Sequence, residues 1–152
     1  MSPVLLLRIA SVLTFLHAVL HTVGGVFGKP ESGAASVAVQ AMKINQFLLM
    51  GHTRSYWDFY RGLGVGITIF LTAEAIIFWQ LGALAKTDAR RLRPILFTFS
   101  AAYVALAANS NTYFFVGPVI TEILIVVCLG LAVVTAKPES VTHAASTLRG
   151  IS

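Results

Sequence analysis

The sequence has one cysteine, six acidic residues and a charged fraction of only 11% over 152 residues. A single Cys128 rules out an internal disulfide and any CxxC metal or redox motif. In its apolar surroundings it reads as a small packing residue. So little charge excludes an ordinary soluble surface, because soluble chains carry about 25% charged residues. The lysines and arginines give a formal net charge of +5, but they are scattered near the ends of apolar runs. No basic surface interleaved with aromatics is present to follow a phosphate backbone, so nucleic acid is not an expected partner. A Ser-His-Asp order and a glycine-rich phosphate loop are also missing.

Apolar residues are what the chain has in quantity, at 57%. They gather into runs at 4–27, 56–84, 92–115 and 118–136. Each is close to or longer than the roughly 18–20 residues that cross a hydrocarbon core about 30 Å thick. Lipid offers no partners to backbone N–H and C=O groups, so such runs must be helices. The expectation is an all-α fold of one domain, 1–152, an integral membrane four-helix transmembrane bundle with a polar tail at 137–152. The first run is longer than the 7–15 residue core of a signal peptide, so it is expected to remain as a membrane helix.

Charge sets the expected orientation. Arg8, Lys86, Arg90, Arg91, Arg93, Lys137 and Arg149 fall on the side of both termini. Lys29, Lys43, Arg54 and Arg61 fall on the other side, partly offset by Glu31 and Asp58. Cationic residues favour the cytoplasmic face, which puts both termini in the cytoplasm. Ser2-Pro3 is a helix start signal. Between the first two runs, Val37, Ala41, Ile44 and Leu48 recur at helical spacing. That spacing predicts an amphipathic interfacial helix over 34–50, closed by Gly51. Ser55 and Asp58 are spaced as a capping box for the second span. Tyr56, Trp57 and Tyr60 suit the headgroup boundary.

Ionisable groups inside spans are costly, so they point to function. His17 and His21 stand four apart on one face of the first span, along a stripe of Ala10, Thr14, Gly24, Gly25 and Gly28. Small residues let a neighbouring helix approach, so this face turns inward. At about 1.5 Å per residue, His17 lies near the midplane, with His21, Asn109 and Glu122 nearer the outer end and Glu74 deepest. The expected arrangement is an outer-half pocket of His21, Asn109 and Glu122, floored by His17 and Glu74. Tyr103, mid-span in the third run, needs a hydroxyl partner or a cavity. His17 and Glu74 would form a general acid/base couple, or a structural hydrogen bond. The His17/His21 pair reaches one metal ion but lacks the intervening Glu of a zincin, so Glu74 or Glu122 would have to complete a metal site. A bis-His haem needs a histidine on a second span, and none is there. No cofactor is named by the sequence.

The segment Gly51-His52-Thr53-Arg54-Ser55-Tyr56-Trp57-Asp58-Phe59-Tyr60-Arg61-Gly62, with Phe78-Trp79-Gln80-Leu81-Gly82, resembles small bacterial four-span integral membrane proteins. That resemblance implies the span plan and no activity. The plan of four helices with midplane His and Glu is loosely similar to the emopamil-binding sterol isomerase family, as an analogy of architecture. The functional expectation is a bundle binding a lipid-like or quinone-like hydrophobic molecule, with proton-transfer or redox chemistry at the His and Glu residues. The alternative is a structural or accessory subunit of a larger membrane complex. Expected partners are the lipid bilayer, a hydrophobic small molecule, and a membrane protein or a second copy of the chain.

Overall fold

The computed structural model describes residues 1–136, and the expected tail at 137–152, with Lys137 and Arg149, lies outside the described residues. The described chain forms two compact units. A terminal unit holds Met1–Ile9 and the chain from Trp79 onward, and a middle unit holds Ala10–Phe78. Four helices are long and apolar enough to cross a membrane, at Pro3–Val26, Tyr56–Asp88, Arg90–Tyr113 and Val116–Thr135. Their outward positions carry large apolar side chains such as Leu16, Phe70, Phe97 and Val134. The helical architecture agrees with the apolar runs.

Helix α1 (Pro3–Leu20) starts where Ser2 and Pro3 predict. The Ser2 hydroxyl accepts from the Leu5 N–H at 3.3 Å, and the Ser2 carbonyl accepts from the Leu6 N–H at 3.1 Å. Beyond Leu20 the helix widens into a π-helical turn, His21–Val26, in which the Phe27 N–H reaches the Thr22 carbonyl at 3.0 Å. The Thr22 hydroxyl donates back to the Ala18 carbonyl at 2.6 Å. Such back-bonding competes with the regular ladder and distorts helices.

Helix α2 (Ala34–Ile44) has no buried residue. It is shorter than the helix expected over 34–50. After Asn45 the chain becomes extended, and β1 (Gln46–Leu49) pairs antiparallel with β2 (His52–Ser55). Gln46 faces Ser55 and Leu49 faces His52. Met50 and Gly51 join the strands with φ of 50° and 82°, the paired positive values of a type I′ turn. Gly51 therefore reverses a hairpin instead of closing a helix. The misreading has a clear cause: Leu48 continues the helical spacing of Val37, Ala41 and Ile44, and the strands are too short for alternation to stand out. The Phe47 ring sits 5.0 Å from that of Tyr56 and 5.7 Å from that of Phe59, which anchors the hairpin to the next helix.

Helix α3 (Tyr56–Asp88) is opened by the expected capping box. The Ser55 N–H and hydroxyl donate to Asp58 Oδ2 at 2.8 and 2.9 Å, and the Asp58 N–H donates to Ser55 Oγ at 3.2 Å. Two of the amide donors that a helix start leaves without partners are thereby satisfied.

In the terminal unit, Asp88 turns the chain. Its Oδ1 accepts from the Arg90 and Arg91 N–H groups at 3.2 and 3.3 Å, and its Oδ2 pairs with Arg91 Nε at 2.8 Å. A 3-10 turn (Arg90–Leu92) leads into α4 (Arg93–Tyr113), with Pro94 in its first turn, and α5 (Val116–Thr135) follows. The buried residues of α4 are Leu96, Tyr103 and Ser110, seven apart, and those of α5 are Glu122, Ile125, Leu129 and Ala132. A narrow seven-residue stripe is the signature of helices packed at a shallow angle. Arg93 Nε donates to the Val133 carbonyl at 2.9 Å, so a cation meets the negative end of α5. The Arg8 guanidinium lies 3.4 Å over the Trp79 ring centre.

Candidate functional site

The middle unit holds a polar seam between α1 and α3. From one end, Ser11 Oγ donates to the Ala75 carbonyl at 2.6 Å. The Thr22 and Thr68 hydroxyls are 2.9 Å apart, His21 Nε2 is 3.1 Å from the Gly64 carbonyl, and the Tyr60 hydroxyl donates to the Gly25 carbonyl at 2.8 Å. These pairings run antiparallel. Gly64 makes the approach possible, since a Cβ there would meet Val26 Cγ2 at 2.8 Å.

Proton counting fixes the directions. A carbonyl only accepts, so His21 Nε2 carries the hydrogen, and a neutral His21 then has a bare Nδ1. The Cβ that Gly25 lacks would lie 3.4 Å from that nitrogen, so the glycine leaves its edge uncrowded. Thr22 gives its single proton to Ala18, its shorter contact, and the Thr68 proton then has two acceptors in reach, Thr22 Oγ1 at 2.9 Å and the Gly64 carbonyl at 3.1 Å, of which Thr22 is the nearer.

His17 is half-buried, and its Nδ1 is fully enclosed with no hydrogen-bond partner among the described residues. With Ser11 level with Ala75 and about 100° of rotation per residue, His17, His21 and Glu74 project toward the same flank of the α1–α3 pair. They are not at one height. Glu74 lies about 7 Å along the axis from His17, at about 1.5 Å per residue. Thr14 stands between those levels, fully buried, its hydroxyl donating to the Ala10 carbonyl at 2.9 Å. Among the described residues no three His, Cys, Asp or Glu side chains come close enough to hold a metal ion. The His17/His21 metal site expected from the sequence therefore has no third ligand here.

The terminal unit holds Tyr103, Asn109 and Glu122. Glu122 is only 3% exposed. Its Oε1 accepts from Ser110 Oγ at 2.9 Å, and its Oε2 is buried with no partner among the described residues. Asn109, expected beside Glu122, is exposed. One residue turns a helix by about 100°, and that step puts Ser110 on the α5 seam and Asn109 off it. Ser110 escaped the sequence reading, although its seven-residue spacing from Tyr103 and Leu96 was there to be used. Ser11, Thr22 and Thr68 also escaped it, because a lone hydroxyl in an apolar run gives no signal of its partner. Tyr103 is 1% exposed on the same stripe as Ser110.

Compared with protein-family models, curated proteins and solved structures, the chain matches none.

Proposed function

We propose that this chain is an integral membrane protein of the bacterial cytoplasmic membrane, with both termini cytoplasmic, whose α1–α3 seam binds a lipid-like or quinone-like hydrophobic molecule through His17 and His21. Four apolar helices and their apolar outward faces support the membrane assignment. The observation that carries the binding assignment is the enclosed, unpartnered Nδ1 of His17. A buried polar atom without a partner costs about 1–3 kcal/mol, and a hydroxyl donor on a bound molecule removes that cost. The π-helical turn beside it fits the same reading, because such turns concentrate at functional sites. His17 and the ligand hydroxyl share a hydrogen bond at Nδ1, His21 offers its bare Nδ1 edge, and Glu74 on the same flank is a further proton carrier. The test compares native protein with His17→Ala after gentle purification, by mass spectrometry of extracted lipids and quinones. The native protein retains a stoichiometric small molecule, and the variant inserts normally but loses it. Equal retention by the variant would overturn the assignment.

A second reading is favoured by the in-chain hydrogen bonds. Ser11, Thr22, Thr68, His21 and Ser110 all use their polar atoms to join helices of this chain. That is what an accessory subunit needs to hold helix register while its apolar faces meet a partner. A stoichiometric membrane protein recovered with it from mild detergent, and no small molecule, would favour this reading.

A further inference from the structure

A groove of about 420 Å³ opens in the middle unit between the β1–β2 hairpin and the first turns of α3. Leu49, Met50, Phe59 and Leu63 supply its apolar lining, and His52, Arg54 and Asp58 its polar lining. Met50 is 93% exposed and Leu63 is 69% exposed. The groove straddles a boundary in the sequence. Charged residues on α3 stop at Arg61, and from Leu63 to Leu84 the only ionisable side chain is Glu74. In a membrane that change marks the passage from headgroups to hydrocarbon, and Tyr56, Trp57 and Tyr60 cluster at the same level.

The polar part carries one guanidinium and one carboxylate. Arg54 donates from one nitrogen to the Thr53 carbonyl at 2.8 Å, which leaves the other donors of its fork for a ligand. Asp58 uses Oδ2 for Ser55, which leaves Oδ1 for a ligand. A lone anion would meet repulsion from Asp58, and a lone cation would meet repulsion from Arg54. A zwitterion satisfies both. We infer that this groove binds the headgroup of an amine-bearing zwitterionic phospholipid, phosphatidylethanolamine, with its phosphate on Arg54 and His52, its ammonium on Asp58, and an acyl chain along Met50 and Leu63. The volume suits a headgroup and glycerol, within the roughly 300–1,000 Å³ of small-molecule sites. The inference rests on the membrane assignment and is independent of any ligand at His17.

The test uses the full chain in nanodiscs of equimolar phosphatidylethanolamine, phosphatidylcholine and phosphatidylglycerol, released into native mass spectrometry. The quaternary amine of phosphatidylcholine has no N–H to give Asp58, and phosphatidylglycerol has no cation. Phosphatidylethanolamine is retained over either by about tenfold, the scale of one charge-assisted hydrogen bond. Arg54→Gln, an exposed change that leaves the Ser55–Asp58 cap intact, lowers retention of all three lipids, because each carries the phosphate that Arg54 meets, and Asp58→Asn abolishes the preference over phosphatidylcholine. Equal retention of all three lipids, a preference for phosphatidylglycerol, or undiminished phosphatidylethanolamine retention in Arg54→Gln overturns the inference. Failure of the chain to float with lipid vesicles overturns the membrane assignment together with it, whereas flotation without preference overturns the groove alone.

Discussion

Thr22 and Thr68 join α1 to α3 with one hydrogen bond whose direction is set elsewhere. Their hydroxyls are 2.9 Å apart, Thr22 donates to Ala18 at 2.6 Å, and the Thr68 proton has Thr22 nearer than its other acceptor, the Gly64 carbonyl at 3.1 Å. Each residue has one proton to give, and the seam is ordered by that constraint as much as by shape.

The first prediction follows from this asymmetry. Thr68→Val removes the bond but leaves Thr22 satisfied through Ala18, and it should cost about 0.6 kcal/mol, the mean for interhelical hydrogen bonds in membranes. Thr22→Val removes a back-bond of 2.6 Å to Ala18, shorter than the 3.1 Å back-bond to Gly64 that Thr68→Val removes, and should cost more. The double variant should cost less than the sum, because both changes delete the same bond. Thermal unfolding in detergent, followed by circular dichroism, gives all three values. Strict additivity would show that the hydroxyls do not bond.

Gly64 gives a sharper case. An added Cβ would stand 2.8 Å from Val26 Cγ2, and Val26 is 2% exposed, so the side chain has nowhere to go. Gly64→Ala should destabilise by about 1–3 kcal/mol, the usual cost of overpacking, and should disturb the His21 bond to the Gly64 carbonyl. Gly62→Ala and Gly66→Ala meet nothing within 4 Å. Each should be neutral or stabilising by about 0.5–1 kcal/mol, the helix preference of alanine over glycine. Val26→Ala in the Gly64→Ala background should restore part of the loss.

The fold was legible wherever one physical signal dominated. Apolar run length located all four long helices, and the Ser2-Pro3 start and the Ser55–Asp58 capping pair appear where the sequence placed them. Two signals conflicted at 46–50, where Leu48 extends a helical spacing while Gly51 permits a reversal, and the turn chemistry prevailed. The polar partners were less legible, because a partner depends on helix rotation. Asn109 and Ser110 are adjacent in the chain, yet only Ser110 turns to Glu122. Depth estimates from residue counts carry no information about that rotation.

Ser110 and Glu122 make a third prediction. Ser110→Ala leaves a second buried carboxyl oxygen without a donor and should cost about 1–3 kcal/mol. Glu122→Met removes both carboxyl oxygens, the bonded and the orphaned, and fills similar volume. It should cost less than Ser110→Ala, and combining it with Ser110→Ala should bring stability near the native value if the pair only joins α4 to α5. A double variant as unstable as Ser110→Ala alone would show that Glu122 has a further partner on its open oxygen. Detergent melting curves of the three variants decide it.

The hairpin tip sets stability against binding. Met50 holds φ of 50°, a left-handed value that costs a residue of its type about 1–2 kcal/mol, and it is followed by Gly51 at 82°. Asparagine before glycine is the preferred pair for this turn, so Met50→Asn should stabilise the hairpin by up to about 1 kcal/mol. Slower amide exchange at Leu49 and His52 would register the gain. Met50 is also the most exposed large apolar side chain at the groove, at 93%. If that side chain lies along a lipid tail, the same substitution should reduce phospholipid retention while it strengthens the turn. Opposite movement of the two readouts is the result expected of a residue kept for its surface. Parallel gains in both would mean that the tip contributes only backbone shape.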